Sequence, residues 1–597
     1  MKTKKRTHNC GELRSSHIDK NVTLVGWVNR RRDHGGLIFI DLRDRYGLTQ
    51  LVFDPTTDKN AHKIADSLRS EWVIQVHGKV IPRAEGMANK KMATGDIEVE
   101  ADTLTILSKA KTPPFSIADE ISEVSEELRL RYRYLDIRRG ELLSNLALRS
   151  KAMNAIRSFL LDQEFLEVTT PILGKSTPEG ARDYLVPSRV HQGSFYALPQ
   201  SPQLFKQLLM MSGLERYFQI AQCFRDEDLR ADRQPEFTQV DLEMSFGEAE
   251  DIYALMEGML KKLFKECRGV DIETPFRRVP YAECIEKYGT DRPDLRFGME
   301  LHRIDDIALK SDFSVLQSVI DQGGVVKAIC VKGGAELSRR EIDNYTDFVK
   351  QFGLQGLAWM KYQEDSFSSN IVKFFSEELL AELKKQMGIS EGDLVLIAGA
   401  NESVVNQSLD HLRRQIARDR GLISSDQLEF LWVTEFPLFE WDEDENRVTS
   451  IHHPFTAPHE DDIELLKENP LKVRSVSYDV VLNGYELGGG SQRIHSSEIQ
   501  KQVFEALKLS EEEINSKFGF FADALQYGTP PHLGIALGLD RLMMLLIGTE
   551  NIRDVIAFPK TQKASDVMMS APAHVAEKQL DELKIAVEKQ PFILENN

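Results

Sequence analysis

Arg225, Glu227, Arg233 and Phe237 fall within thirteen consecutive positions of the chain. Strand-like stretches flank the polar run 226–234, so a hairpin is expected, with cations and an aromatic ring on one surface. Arginine clamps phosphate oxygens through paired hydrogen bonds, and phenylalanine stacks on a base. The same residues also suit an ordinary solvated loop. A second cluster lies near the C-terminal end, where Gly534-Ile535-Ala536-Leu537-Gly538-Leu539-Asp540-Arg541 leads into the apolar stretch 542–547. Glycines permit close backbone approach, and a helix start reinforced by Arg541 suits an anion. A strand-to-helix turn with a surface arginine is the plainer alternative. The sequence holds no G-x-x-x-x-G-K-[ST] run, so phosphates must be held without a P-loop.

The elements that position these residues can be read in chain order. Periodicity predicts strands at 22–28, 37–42, 49–53, 72–80 and 97–107, with a helix at 58–69 between the third and fourth. That order is expected of a five-stranded OB barrel, which stacks single-stranded bases on aromatics beside cations. Arg30, Arg31, Arg32 and Phe39 are its candidate contacts, although Phe39 sits in the apolar run 37–40 and suits the core equally. Consecutive prolines 113 and 114 mark a stiff connector within 109–115. A helical stretch follows over 126–161, interrupted near Gly140, and its basic-aromatic patch 129–139 reads as solvated in preference to RNA-binding. Residues 289–423 look like an inserted α+β module. Its clearest helix has Ser376 as N-cap, Leu379, Leu380 and Leu383 on one face and Gly388 just past its end. The tail beyond Pro559 ends in an amphipathic helix with Leu580, Leu583 and Val587 at helical spacing, read as docked packing.

A chain of 597 residues should hold three or more folded units of about 100 to 200 residues. Its composition, 41% hydrophobic and 28% charged, excludes wholesale disorder. No apolar run approaches the roughly 18 residues that span a bilayer, and the charged residues 1–6 lead into no apolar segment, which points to a soluble protein. The five cysteines are scattered without a C-x-x-C pair, against a disulfide framework or structural zinc and in keeping with a reducing cytoplasm. A net charge of -19 disfavours nonspecific coating of nucleic acid. Residues 1–35 nevertheless hold nine Lys or Arg against three acids, and a basic face can sit on an acidic body.

Together these segments resemble the signature motifs of class II aminoacyl-tRNA synthetases. Phe165-Leu166-Glu167-Val168-Thr169-Thr170-Pro171 is similar to the first motif, whose proline lies at the family's dimer interface. Residues 224–227 with 233–237 resemble the second motif, and Gly538-Leu539-Asp540-Arg541 the third. Over nearly the whole chain the resemblance is to bacterial-type aspartyl-tRNA synthetases, and the insertion resembles a module of an amidotransferase that acts on mischarged tRNA. The fold implied is a multidomain α/β chain. It comprises an OB anticodon-binding barrel at 1–108, a hinge at 109–140, an antiparallel-sheet catalytic domain in two parts at 141–288 and 424–559, the insertion at 289–423 and an extension at 560–597.

The resemblance implies a homodimer that condenses L-aspartate and ATP to aspartyl-adenylate and transfers the aspartyl group to tRNA. Arg225 would hold the α-phosphate, Arg541 the γ-phosphate, and Phe237 would stack on adenine. Asp226, Glu227, Gln234, Glu486, Gly538, Leu539 and Asp540 also line the implied ATP site, and Asp479 with Glu486 would bind Mg2+, which prefers oxygen ligands. Lys206 and Arg493 match the readers of the substrate's side-chain carboxylate, and Glu179 the residue that closes over its ammonium. Ser201, Gln203, Asp241 and His452 complete that pocket. Two cations facing the side chain would reject asparagine by leaving charge buried and unpaired, and the same pair separates the chain from asparaginyl- and lysyl-tRNA synthetases. Arg225 and Arg541 separate it from noncatalytic tRNA-binding paralogues. In the barrel, Phe39 would stack on an anticodon base while Arg32 and Gln50 contact others. His34 is typical of members that charge tRNA(Asn) as well as tRNA(Asp), and Met87 matches neither pattern expected at its position.

Overall fold

The computed structural model describes every residue except 1–4, 119–123, 178–180, 230, 425, 444–445 and 589–597. The chain divides into two compact units: Met1–Ser150 with Leu229–Ala231 and Asn551–His574, and Lys151–Asp228 with Asp232–Glu550 and Val575–Asn597. No helix among the described residues is long and apolar enough to cross a membrane.

The first unit holds a closed barrel of β1 (Asn21–His34), β2 (Leu37–Asp44), β3 (Gly47–Phe53), β4 (Val73–Pro82) and β5 (Ile97–Ser108), in the order β1-β2-β3-β5-β4. Alternation fills its interior with Leu24, Ile40, Leu51, Ile74 and Val99, each fully buried. A helix over Lys59–Ser67 separates β3 from β4, with Asp58 as N-cap accepting from the Ala61 amide at 2.6 Å. This is the predicted OB order.

The patch at 129–139 is solvated only in part: Arg131 and Tyr134 are exposed, but three of its charged residues are internal. Arg133, Asp136 and Arg139 are 2%, 0% and 2% exposed. Asp136 accepts from Arg133 Nη1 at 3.0 Å and from Arg129 Nε at 3.1 Å. Arg133 also donates to the carbonyls of Ala557 (2.9 Å) and Ile556 (2.8 Å), and Arg129 pairs with Asp554 at 3.4 Å. Part of a run that reads as surface charge is internal because chain more than four hundred residues away supplies its acceptors.

The second unit is built on an eight-stranded sheet ordered Arg277–Pro280, Phe430–Thr434, Ser477–Leu482, Tyr485–Gln492, His532–Gly538, Glu236–Ser245, Arg216–Phe224 and Leu166–Glu167. Its outer pairs are parallel and its central strands antiparallel. One face is apolar: Val240 and Leu242 are fully buried there, and the helix Ala249–Arg268 contributes Ile252, Met256 and Leu260. Tyr253 of that helix contacts Trp432 and Tyr478 with ring centroids 4.6 and 5.3 Å apart. The Arg277–Pro280 strand pairs with Phe430–Thr434, so the chain between them leaves and returns at neighbouring positions without breaking the sheet.

That excursion is the α+β module. Its five antiparallel strands run in the order Leu301–Arg303, Val325–Val331, Leu394–Ala400, Ala358–Gln363 and Ser366–Ser368. Separate apolar cores cover its two faces, with Arg339–Lys350 and Glu402–Asp419 on one side and Asp305–Lys310, Ser314–Asp321 and Glu377–Met387 on the other. The helix Glu377–Met387 has the predicted caps: Ser376 accepts from the Leu379 amide at 3.3 Å, and Gly388 adopts φ +59°. The tail departs from expectation. Its helix ends at Leu583 with Lys584 at φ +56°, none of its residues is buried, and Val587 lies beyond it, 68% exposed. A helix of seven residues has too few turns to hold itself without a docked face.

The buried hub around Asp136 sets an expectation for stability. Asp136→Asn leaves two arginines short of their shared carboxylate and should destabilise the barrel-containing unit by about 3 kcal/mol or more. Urea unfolding of the full chain, followed by hydrogen exchange in β1–β5, measures this, with Arg131→Gln at an exposed neighbouring position as the neutral control.

Candidate functional site

The polar face of the eight-stranded sheet is organised in two adjacent rows by strand register. Asp479, Gly489, Ala536, Asp241 and Gln219 lie directly opposite one another in sequence across five strands, and Ser477, Ser491, Gly534, Glu243 and Tyr217 form the next row. Side chains two residues apart share a face, so Asp241 and Glu243 project together. Small residues beside them make the room. A Cβ on Gly534 would stand 1.9 Å from Glu243 Oε2 and 2.3 Å from the Leu242 carbonyl, and one on Gly489 would stand 2.4 Å from Asp479 Oδ1.

Four ionisable groups meet on this floor. Arg493, just beyond the Tyr485–Gln492 strand, grips Glu243 with both arms of its guanidinium, Nε to Oε1 at 2.9 Å and Nη2 to Oε2 at 3.2 Å. Lys206 donates to Asp241 Oδ1 at 3.2 Å and lies 3.6 Å from Glu243 Oε2. It comes from the helix Gln203–Met211, where positions 203, 206 and 207 fall on one buried face. All four side chains are at most 2% exposed. Burial would raise both carboxyls. For Glu243, Arg493 and then Lys206 more than offset it, leaving that carboxyl below its usual value; for Asp241 burial prevails over Lys206, and the value is raised.

The expectation of two cations open to a substrate is thereby revised. Lys206 and Arg493 already have partners, and Glu243, absent from the residues expected above, neutralises one of them. The signal was present: Phe237, Gln239, Asp241 and Glu243 alternate along a strand that enters a buried sheet. A second omission is His453. Of the two adjacent histidines it is His453 whose Nε2 accepts from Arg493 Nη1 at 2.9 Å. Burial, then Arg493, hold its imidazole well below the usual value and thus neutral. His452 stands 3.8 Å from Asp479 instead. Polar atoms remain buried without a hydrogen bond at Asp241 Oδ2, Gln203 Nε2 and Arg225 Nε.

The predicted hairpin around Arg225 is present. Arg216–Phe224 and Glu236–Ser245 pair from Phe224 and Glu236 onward, and the Arg225 amide donates to the Pro235 carbonyl at 2.9 Å. The Arg225 guanidinium lies 5.1 Å from the centre of the Phe237 ring, and its charge reaches Asp241. Arg233 pairs with Glu227 at 2.8 Å at the open end, Asp226 is exposed, its amide donating to the Arg182 carbonyl, and Gln234 is buried.

Gly538 caps the helix Leu539–Ile547, and Asp540 Oδ2 accepts from the Thr238 amide at 2.7 Å, tying that helix to the hairpin strand. Arg541 donates to the Glu486 carbonyl at 2.6 Å and pairs with Asp232 at 3.2 Å. Asp479 Oδ1 is buried without a hydrogen bond, and burial, with Glu486 adding to it, pushes this carboxyl up to about 6. Among the described residues no cluster of three or more His, Cys, Asp or Glu is disposed to hold a metal. Two carboxylates with an orphaned oxygen suit Mg2+, which takes one or two protein ligands and fills its shell with phosphate and water.

Ser201 is half-buried and accepts from the Gln203 amide at 3.3 Å. Glu179 lies outside the described residues. The flanks of its loop are tied together: Gln200 donates to the Ala181 carbonyl (2.8 Å) and to Asp183 (2.5 Å), and Ser176 donates to Asp183 (2.6 Å).

In the other unit a bulge between Val28 and Arg30 re-aims β1. Before it, Val22, Leu24 and Val28 point into the core; after it, Arg30, Arg32 and His34 are exposed. Phe39 is half-buried opposite Arg32, while Ile38 and Ile40 face the core, which places its ring on the outer wall. Arg32 donates to Asp41 (2.7 Å) and Gln50 (3.1 Å), and Gln50 donates to Glu98 (2.6 Å). His34 is exposed at the β1–β2 turn, and Met87 is 70% exposed between β4 and β5.

Gly534→Ala tests the floor. Its methyl cannot coexist with Glu243 and the Leu242 carbonyl as placed, so Glu243 must shift against Arg493; the aspartate-dependent ATP-pyrophosphate exchange that the resemblance implies should fall at least about 100-fold, while the affinity for tRNA that it implies stays within about twofold of the parent.

Known proteins share the sequence and the fold of this chain. Residues 125–562 fit the family model described as tRNA synthetases class II (D, K and N), and residues 22–107 fit that of the OB-fold nucleic acid binding domain. The chain is 61% identical over 588 residues to the Aspartate--tRNA(Asp/Asn) ligase of Protochlamydia amoebophila, covering 98% of each chain. It is 56% identical to the enzyme of that name from Chlamydia muridarum, over 97% of this chain and 99% of the relative. Among solved structures, the asparaginyl-tRNA synthetase of Pyrococcus horikoshii complexed with asparaginyl-adenylate shares the fold at a TM-score of 0.58 and 19% identity, over 93% of this chain and 98% of that one. The aspartyl tRNA synthetase of Entamoeba histolytica does so at 0.56 and 21%, over 93% and 91%. The chain belongs to the class II aminoacyl-tRNA synthetases, within the aspartate–tRNA ligase family.

Proposed function

We propose that this enzyme joins L-aspartate to tRNA in two ATP-dependent steps through aspartyl-adenylate, and that it charges tRNA(Asn) as well as tRNA(Asp). The observation that carries the first part is the buried quartet Lys206, Asp241, Glu243 and Arg493, with the orphaned atoms of Asp241, Gln203 and Arg225 beside it. Lysine and arginine offer only donors to a substrate side chain, which a carboxylate accepts and an amide NH2 cannot. Glu243 is engaged by both cations and leaves little acceptor capacity for asparagine. Asp241 Oδ2 and Gln203 suit the ammonium and its surroundings, with Ser201, His452 and Glu179 completing the pocket.

Arg225 would fix the α-phosphate beside the substrate carboxylate, Phe237 would carry the adenine, and Arg541 would hold the γ-phosphate. Asp226, Glu227, Gln234, Gly538, Leu539 and Asp540 would line the nucleotide. Fixed cations aimed at charge that grows during transfer need no reorganisation, the usual source of large rate gains. Asp479 and Glu486 would hold Mg2+, which when bound neutralises and bridges phosphates. Phe39, Arg32 and Gln50 would read the anticodon. His34, together with the names of the relatives above, supports the wider tRNA range, while Met87 matches neither pattern and favours no range. Exposed Leu166, Ile172 and Leu173, 54%, 48% and 53% accessible beside Pro171, support a homodimer whose second copy covers them. The barrel at 1–108 would bind tRNA and the two catalytic parts at 141–288 and 424–559 would form the adenylate, in a cytoplasmic enzyme.

Aspartate-dependent ATP-pyrophosphate exchange should be present, should stop on chelation of Mg2+ and return on its addition, and should drop about 100-fold or more in Arg541→Ala. No exchange by the parent overturns the reaction. Phe39→Ala should raise the KM for tRNA about fivefold or more at unchanged exchange. A tRNA(Asn) transcript should be aspartylated at micromolar enzyme; failure leaves a tRNA(Asp)-specific ligase.

A further inference from the structure

Arg6 and Arg45 bracket the exposed ring of Tyr46, with guanidinium carbons 5.8 and 4.9 Å from its centre. The turn that presents them is rigidly made. Asp44 Oδ1 accepts from the amides of Tyr46 (2.8 Å) and Gly47 (3.2 Å), and Oδ2 from the Cys10 amide (2.9 Å) and Arg6 (3.4 Å). Beside this turn the outer barrel wall forms a cleft of about 620 Å³, lined by Arg6, Trp27, Arg45, Tyr46, Gln75 and Leu107 among others. A third arginine, Arg138, lies 5.3 Å from the Trp27 ring. Two aromatic rings with Arg6 and Arg45, Asp44 being shared between Arg6 and the turn amides and Arg138 being held by Glu71 at 3.0 Å, form a base-and-phosphate chemistry rather than an apolar one. The volume suits one nucleotide.

The cleft is separate from the Phe39 face. Trp27 precedes Arg32 by five residues of β1, and Tyr46 follows Phe39 by seven along and just past β2, roughly 16 to 23 Å of strand. A base seated on Phe39 therefore cannot also fill it. It accounts for part of the basic N-terminal segment that the Arg32 face leaves unused, since Arg6 belongs to that segment.

We propose that this cleft takes a nucleotide of the bound tRNA lying outside the anticodon triplet, its base between Trp27 and Tyr46 and its phosphate on Arg6 and Arg45. This rests on the tRNA reading above. Arg45 and Tyr46 are exposed, so their replacement should leave the fold intact, checked by unchanged aspartate-dependent exchange. In the full-length enzyme with tRNA(Asp) transcript, Tyr46→Ala should weaken tRNA binding at least about fivefold, and Tyr46→Phe, which keeps the ring, should restore it. Arg45→Gln should lower the slope of log affinity against log salt by about 0.7 to 0.9. Hydroxyl-radical footprinting should show a protected nucleotide outside the triplet whose protection is lost in Tyr46→Ala while the triplet stays protected. Unchanged affinity in Tyr46→Ala, or protection lost only within the triplet, overturns the proposal and leaves the ligase reading standing. A parent enzyme that binds no tRNA overturns both.

Discussion

Glu243 is held by Arg493 from the end of the Tyr485–Gln492 strand and approached by Lys206 from the Gln203–Met211 helix, with Asp241 two residues away completing the charge balance. Taking four ions out of water costs several kcal/mol each, and only close mutual pairing offsets that. The geometry around the quartet can be read as what that pairing requires. Gly534 and Ala536 stand opposite the two acids because a larger side chain would displace them. The Gln203–Met211 helix turns Lys206 inward because Asp241 and Glu243 on the sheet beneath offer it acceptors.

The apolar face of the same sheet makes this affordable in structural terms. Aromatic contacts among Tyr253, Trp432 and Tyr478 fix the strands that bear Asp479 and its neighbours. The module between Arg277–Pro280 and Phe430–Thr434 has two cores of its own, so a large excursion leaves the floor undisturbed. Conserving strand register across the interruption matters more to the site than the identity of what is inserted.

The barrel meets its ligand by different physics. Arg32 stays exposed even where it pairs with Asp41, and the β1 bulge does the positioning by turning a run of basic residues outward beside Phe39. One unit thus offers a buried, neutralised cluster suited to discriminating a small anion, and the other offers exposed rings and arginines suited to a flexible polyanion, whose affinity falls with salt. The buried hub at Asp136 shows the contrast within a single unit, since its arginines are structural while those of β1 remain exposed.

Local pattern alone determined the barrel strands, the Arg225 hairpin, the capped helix at 377–387 and the small residues leading to Arg541, because alternation, caps and turn residues act within a few positions. It also placed Lys206, Asp241 and Arg493 among the residues of interest. Tertiary structure decided what those residues touch. Glu243 as the common partner, the contact of His453 with Arg493, the outward side of Phe39 and the burial of Arg133 depend on register shifts and on acceptors hundreds of residues away. A sequence records which charges exist. Whether a charge is solvated, paired or left open to a substrate is set by what the fold brings against it, and for an arginine in isolation all three look alike.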